Sequence, residues 1–145
     1  MENVTGSPFK AISILYRKSH IWLNNSCAQY GLTAAQAMVI LIVCDFQSLT
    51  QDEITKRLGL DKSVIAKTVT KLEETGFLVR TTNPKDKRTY DIQPTQRAWA
   101  AYPSVREQID ICFHRMTRGM SEEQRATFQE LLLLAAEATV EQEDL

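Results

Sequence analysis

The sequence predicts a mainly α fold carrying one small β-hairpin, an α+β class. Three observations predict it. Capping boxes open three stretches of helical periodicity: Thr33 with Gln36, Thr50 with Glu53, and Ser121 with Gln124. In each, the hydroxyl and the Glu or Gln side chain satisfy each other's backbone N–H groups. Apolar residues recur at helical spacing through most of the chain. Only Phe77–Thr82 and Thr89–Gln93 alternate in the manner of strands, with a turn-rich charged segment between them.

From Pro8 to about Tyr30, Phe9, Ile12, Leu15, Tyr16, Leu23 and Cys27 recur near helical spacing, and Ile21 and Trp22 widen the stripe. Pro8 suits a first helical position and Gly31 a helix end. A stripe this wide fits either a core helix or a subunit interface. Thr33 then caps a second helix whose run from Ala37 to Phe46 is apolar almost all round, which predicts burial.

The stretch Thr50–Gly76 has the form helix, glycine turn, helix, that of a helix-turn-helix. Ile54 and Leu58 give its first helix an apolar edge. Gly59 stops it, because the left-handed conformation of a sharp helix end costs glycine nothing. Asp61 is placed to cap the next helix. In that second helix Ile65, Val69 and Leu72 lie within roughly 40° of one another, while Ser63, Lys67, Thr70 and Lys71 face the other way. Hydroxyls allow close approach to a polyanion, and lysines supply charge or a base-edge donor. An ordinary surface helix with solvated lysines has the same pattern.

The residues after Gly76 separate the two readings. A hairpin comes directly after the helix, with Asn83-Pro84-Lys85-Asp86-Lys87-Arg88 at its tip. Arg88 suits a narrow minor groove. Asp86 repels a polyanion, so its expected role is to orient Arg88. Thr95 then caps a long helix to about Arg118, lined by Trp99, Tyr102, Ile109, Cys112, Phe113 and Met116, and Pro103 predicts a kink or short break in it. After Ser121, Phe128, Leu131, Leu132, Leu134, Ala135 and Ala138 make a wide apolar face on a last helix.

Charge is distributed to match. The whole chain carries −1, but Gln51–Arg97 carries +3 and the remainder −4. A basic middle within acidic ends is the footprint of a nucleic-acid reader that uses its termini for something else. A hydrophobic share of 43% and a charged share of 24% place the chain among globular proteins. No apolar run reaches the length of a membrane span and no basic-then-apolar leader opens the chain, so the expectation is a cytoplasmic protein without a membrane partner.

Neither catalysis nor a cofactor is expected, and no metal. The chain lacks a phosphate loop, a nucleophile elbow and a His-Glu-x-x-His pattern. Cys27, Cys44 and Cys112 are odd in number and widely spaced, which argues against a disulfide scaffold. His20, Cys27, Cys112 and His114 make a zinc-like set only if the terminal helices bring them together; otherwise they are two surface histidines and two core cysteines.

The order of helix, helix, helix-turn-helix, hairpin, long helix and terminal helix resembles the MarR-type winged-helix transcriptional regulators over nearly the whole chain. Thr50–Leu60 is similar to that family's support helix and turn. Asp61–Gly76 followed by Phe77-Leu78-Val79-Arg80 is similar to its recognition helix running into the wing, and Asp86 and Arg88 fill its Asp-x-Arg places at the wing tip. The stretch Pro94-Thr95-Gln96-Arg97-Ala98 departs from the family's Leu-Thr-x-x-Gly and predicts a local change where wing meets helix.

The resemblance implies a homodimeric repressor, built from a winged helix-turn-helix lobe at 32–94 and a helical dimerisation region at 8–31 and 95–142. It implies binding to double-stranded DNA at a pseudo-palindromic operator and release by a small aromatic effector. Recognition-helix contacts fall to Ser63, Val64, Lys67, Thr70 and Lys71, and support and wing contacts to Thr33, Thr50, Gln51, Lys85, Lys87 and Arg88. An effector pocket where lobe meets body draws on Tyr16, His20 and Trp22, residues that serve equally well in a dimer core. Cys27 lies late in the first helix, whereas the family's redox-sensing branch places its reactive cysteine early. The competing reading is a winged-helix dimer that acts as a protein-interaction module without binding DNA.

Overall fold

In a computed structural model of the chain, which describes residues 6–142, helices dominate and one small antiparallel sheet completes the fold, as the sequence predicts. The elements are α1 (Pro8–Cys27), a 3-10 turn (Ala28–Tyr30), α2 (Ala34–Phe46), β1 (Leu49–Thr50), α3 (Gln51–Leu58), α4 (Lys62–Glu74), β2 (Leu78–Thr82), β3 (Tyr90–Pro94), α5 (Gln96–Met116) and α6 (Glu122–Glu141).

All three capping boxes form. Thr33 accepts from the Gln36 N–H at 3.1 Å, Thr50 from Glu53 at 3.2 Å and Ser121 from Gln124 at 3.2 Å, and each Glu or Gln side chain returns the bond. Gly59 closes α3 with φ +62°. Asp61 is a partial correction: its backbone is extended as a cap requires, but its side chain makes no capping bond.

One sheet serves the wing, in the order β1-β3-β2. Arg80 pairs with Ile92 in the hairpin, and Leu49 pairs with Ile92 from the other side. A two-residue strand is too short to show an alternation, so β1 is invisible in the sequence. Its effect is to tie the start of α3 to the wing.

The core runs from the helix-turn-helix into the contact of α1 and α2 with α5. Ile40, Val43, Ile54, Ile65, Val69, Leu72, Ile92 and Val105 are all buried within it. The expected burial of α2 holds for Ala37, Val39, Ile40, Val43 and Cys44, but Met38, Leu41 and Ile42 are only half-buried, and Phe46 is exposed with the Arg57 guanidinium over its ring at 3.9 Å.

Pro103 does not break α5, which is continuous from Gln96 to Met116. Pro103 and Trp99 are both exposed, which places the carbonyl that the proline leaves without a donor on the solvent side of the helix, open to water.

Helix α6 follows α5 after a short turn and, farther on, borders a groove with Ile42 of α2 and Arg57 of α3. Arg125 donates from Nε to the Thr117 hydroxyl at 2.8 Å, and Phe128 stacks near Phe113 at 6.2 Å between ring centroids. Beyond that it is without a buried residue. Leu131 and Leu134 are 58% and 56% exposed, and on α1 Phe9 and Ile12 are 80% and 60% exposed. No single described helix is long and apolar enough to cross a membrane.

Candidate nucleic-acid interface

The candidate recognition face is made by α4. Its inner stripe, Ile65, Val69 and Leu72, is fully buried against α2 and α3. Thr68 joins that stripe, its hydroxyl bonded to the Val64 carbonyl at 2.7 Å so that no donor is lost. Burial of one side forces the other outward, and Ser63, Val64, Lys67, Thr70 and Lys71 are all exposed. Lys67, Thr70 and Lys71 border one shallow groove with Ala66 and Glu74.

The wing tip is organised by three side chains. Asn83 Oδ1 accepts from the backbone N–H groups of Lys85 at 2.8 Å and Asp86 at 3.2 Å, and its amide donates to Asp91 at 2.8 Å. Asp86 Oδ1 accepts from the Arg88 backbone at 3.0 Å and from Arg88 Nε at 3.1 Å, and Oδ2 accepts from Nη2 at 3.3 Å. The Arg88 guanidinium beside it holds the Asp86 carboxyl below the usual carboxylate range. Arg88 remains 90% exposed with a fixed direction, which lowers the entropy it loses on meeting a partner. Among the described residues, Lys85 and Lys87 have no carboxylate within ion-pair distance.

Between α3 and the wing lies a crevice of roughly 190 Å³ lined by Thr50, Gln51, Arg80, Arg88 and Tyr90, among others. Thr50 uses its hydroxyl oxygen as a cap and keeps its O–H proton to donate. Thr33 stands apart as the cap of α2, in the same chemical state.

The candidates on α1 do not assemble as one pocket. Tyr16 and His20 lie together, ring centroids 4.2 Å apart, with His20 Nδ1 3.0 Å from the Tyr16 carbonyl. Trp22 lies roughly 120° or more round the helix from both, because it is two residues past His20 and six past Tyr16. The Arg115 guanidinium of α5 covers its ring at 4.2 Å. Among the described residues, no three or more His, Cys, Asp or Glu side chains come together to hold a metal.

Two sets of residues at this interface were not foreseen. Glu73 on α4 pairs with Arg80 on β2, and Thr95 and Arg97 at the head of α5 grip the carbonyls just past α4. Their signal in the sequence is slight: an acid and a base seven residues apart, and an arginine where a helix begins.

A family profile described as MarR family matches residues 30–89, which run from the 3-10 turn after α1 to just past the wing tip. Over those residues the chain is similar to the MarR family, and the fold there is a winged helix. The curated relatives it resembles are transcriptional regulators. An uncharacterized HTH-type regulator of Bacillus cereus is 28% identical over 110 residues, 75% of this chain and 73% of that protein. The HTH-type transcriptional repressor MdtR of Bacillus subtilis is 26% identical over 95 residues, 66% of this chain and 61% of the repressor's length. A mutant MarR from E. coli, solved in complex with operator DNA, superposes with a TM-score of 0.77 at 23% identity, covering 88% of this chain and 91% of that one. The MarR-type fold thus extends past the matched profile into α1, α5 and α6.

Proposed function

We propose that this MarR-type chain is a sequence-specific DNA-binding regulator that acts as a homodimeric repressor in the cytoplasm. One observation carries the reading. The exposed side of α4 holds Ser63, Lys67, Thr70 and Lys71, and the adjoining wing tip holds Lys85, Lys87 and a pre-directed Arg88. A helix of that composition suits a major groove, and a basic hairpin beside it suits the flanking backbone and minor groove. Support comes from the relatives: one is named a repressor, and a fold neighbour is solved on operator DNA.

Dimerisation is supported by what the single chain leaves bare. Phe9 and Ile12 on α1 and Leu131 and Leu134 on α6 leave large apolar side chains exposed on two long helices, as interaction surfaces do. A second copy covers them and places the two recognition helices about 34–36 Å apart, one turn of DNA. In this scheme residues 32–94 read DNA, and residues 8–31 and 95–142 hold the dimer.

Release by a small aromatic effector completes the proposal. The Tyr16–His20 ring pair is half open and offers a stacking surface with one imidazole as polar handle. Trp22 is not part of that seat. An effector works only by preferring the released geometry over the bound one.

The test is a binding competition at fixed salt between duplex from upstream of the protein's own coding sequence and a scrambled duplex of equal length. The reading predicts preference for one stretch of the upstream duplex. Equal binding to both, or none, supports the interaction-module alternative.

A further inference from the structure

Helix α4 ends in a turn that leaves three carbonyls facing away from it. The Phe77 N–H reaches back to the Leu72 carbonyl at 2.8 Å and the Gly76 N–H to Glu73 at 3.1 Å, with Gly76 at φ +83°. That is a glycine-closed helix end. The carbonyls of Thr75, Gly76 and Phe77 are then without intrahelical donors. The head of α5 supplies donors to all three. Thr95 Oγ1 lies 2.6 Å from the Gly76 carbonyl and 3.0 Å from that of Phe77, the Thr95 N–H donates to Phe77 at 3.0 Å, and Arg97 donates from Nη1 to Thr75.

Arg97 has a second hold. Its guanidinium lies over the Phe77 ring at 4.4 Å, and that ring is buried. A cation over an aromatic face is attracted to it, and a cation at a helix C-terminus complements the helix dipole. Among the described residues no carboxylate pairs with Arg97. Its hydrogen-bond and ring contacts are one backbone carbonyl and one core ring, both just past the end of α4.

Farther along α5, the Tyr102 hydroxyl donates to Asp45 at the end of α2, and Arg106 lies 3.4 Å from that hydroxyl. Of these two side-chain links from α5, the one made by Arg97, next to the Thr95 cap, bears on the end of α4.

From this geometry we infer that Arg97 is a positioning residue for the recognition helix. It fixes the last turn of α4 to α5, so sequence discrimination depends on it without its touching DNA. This rests on the DNA-reading role proposed above. Lys71 is one turn from Thr75, whose hydroxyl bonds its carbonyl at 2.8 Å, so play in this turn reaches the base-facing side directly.

The experiment compares wild type, Arg97→Ala and Arg97→Lys. The probes are a duplex selected from a random pool by the wild-type chain and a scrambled duplex, over a salt series. Expected for Arg97→Ala is a loss of about tenfold on the selected duplex, the scale of one charge-assisted hydrogen bond, with the scrambled duplex and the salt slope unchanged. Arg97→Lys keeps a donor and recovers part of the loss. A salt slope shallower by about one unit on both duplexes would make Arg97 a phosphate contact and overturn the inference. So would unchanged affinity for the selected duplex. Amide exchange at Gly76 and Phe77 tests the clamp without DNA. Exchange is faster in Arg97→Ala if Arg97 holds the turn, and unchanged protection refutes the clamp even should the wild type prove not to discriminate between duplexes.

Discussion

Glu73 on the recognition helix accepts two hydrogen bonds from Arg80 on β2, from Nε at 3.0 Å and Nη2 at 2.6 Å, both to Oε1. The same guanidinium lies 5.4 Å from the centroid of the Tyr90 ring on β3. One arginine thus ties α4 to the wing and fixes the angle between them.

The pair is half-buried, with side-chain exposures of 32% and 28%, so its worth exceeds that of a free surface pair only modestly. A double-mutant cycle of Glu73→Ala and Arg80→Ala in urea should give a coupling of roughly 1 kcal/mol. A coupling indistinguishable from zero would mean the wing is held by its strands alone.

Leu131→Asp and Leu134→Asp should each convert the proposed dimer to a folded monomer. Both side chains are exposed in the single chain, so a charge there leaves its own fold intact. In a dimer the same charge is buried without a partner, at a cost of about 3–5 kcal/mol. Sedimentation at micromolar concentration checks this. A monomeric wild type would remove the dimer from the account.

Much of the fold is legible in the sequence because it rests on local rules. Thr33, Thr50 and Ser121 announce their helices by capping, and the opposition of Ile65, Val69 and Leu72 to Lys67 and Lys71 follows from helical period alone. Asp86 and Arg88 are two residues apart, so their pairing is local as well. The Arg97–Thr75 and Tyr102–Asp45 contacts join residues far apart in the chain, and no short-range pattern encodes them. The separation of Trp22 from Tyr16 and His20 is different in kind: it follows from the turn of their own helix, and Arg115 from α5 covers the Trp22 ring.

The cysteines should be inert at neutral pH. Burial pushes the Cys27 and Cys112 thiols up, and Cys44 up to about 11, with the Asp45 charge adding to burial there. A thiol whose folded pKa is raised contributes stability that is present below its unfolded value of 9.0, and for Cys44 that contribution is lost as pH climbs to about 11. A disulfide reagent at pH 7 should label the native chain slowly and all three thiols promptly in denaturant. Prompt labelling of one thiol in the native chain would identify a reactive site.

The central claim is that α4 reads bases while the wing holds the backbone. Measuring affinity for selected and scrambled duplexes over a salt series, in wild type, Lys67→Ala and Lys87→Ala, tests it most directly. Lys67→Ala should lose about 1–3 kcal/mol on the selected duplex and little on the scrambled one. Lys87→Ala should weaken both alike and flatten the salt slope by about one unit. Equal losses on both duplexes from Lys67→Ala, with the same flattened slope, would make α4 another backbone contact and contradict the account.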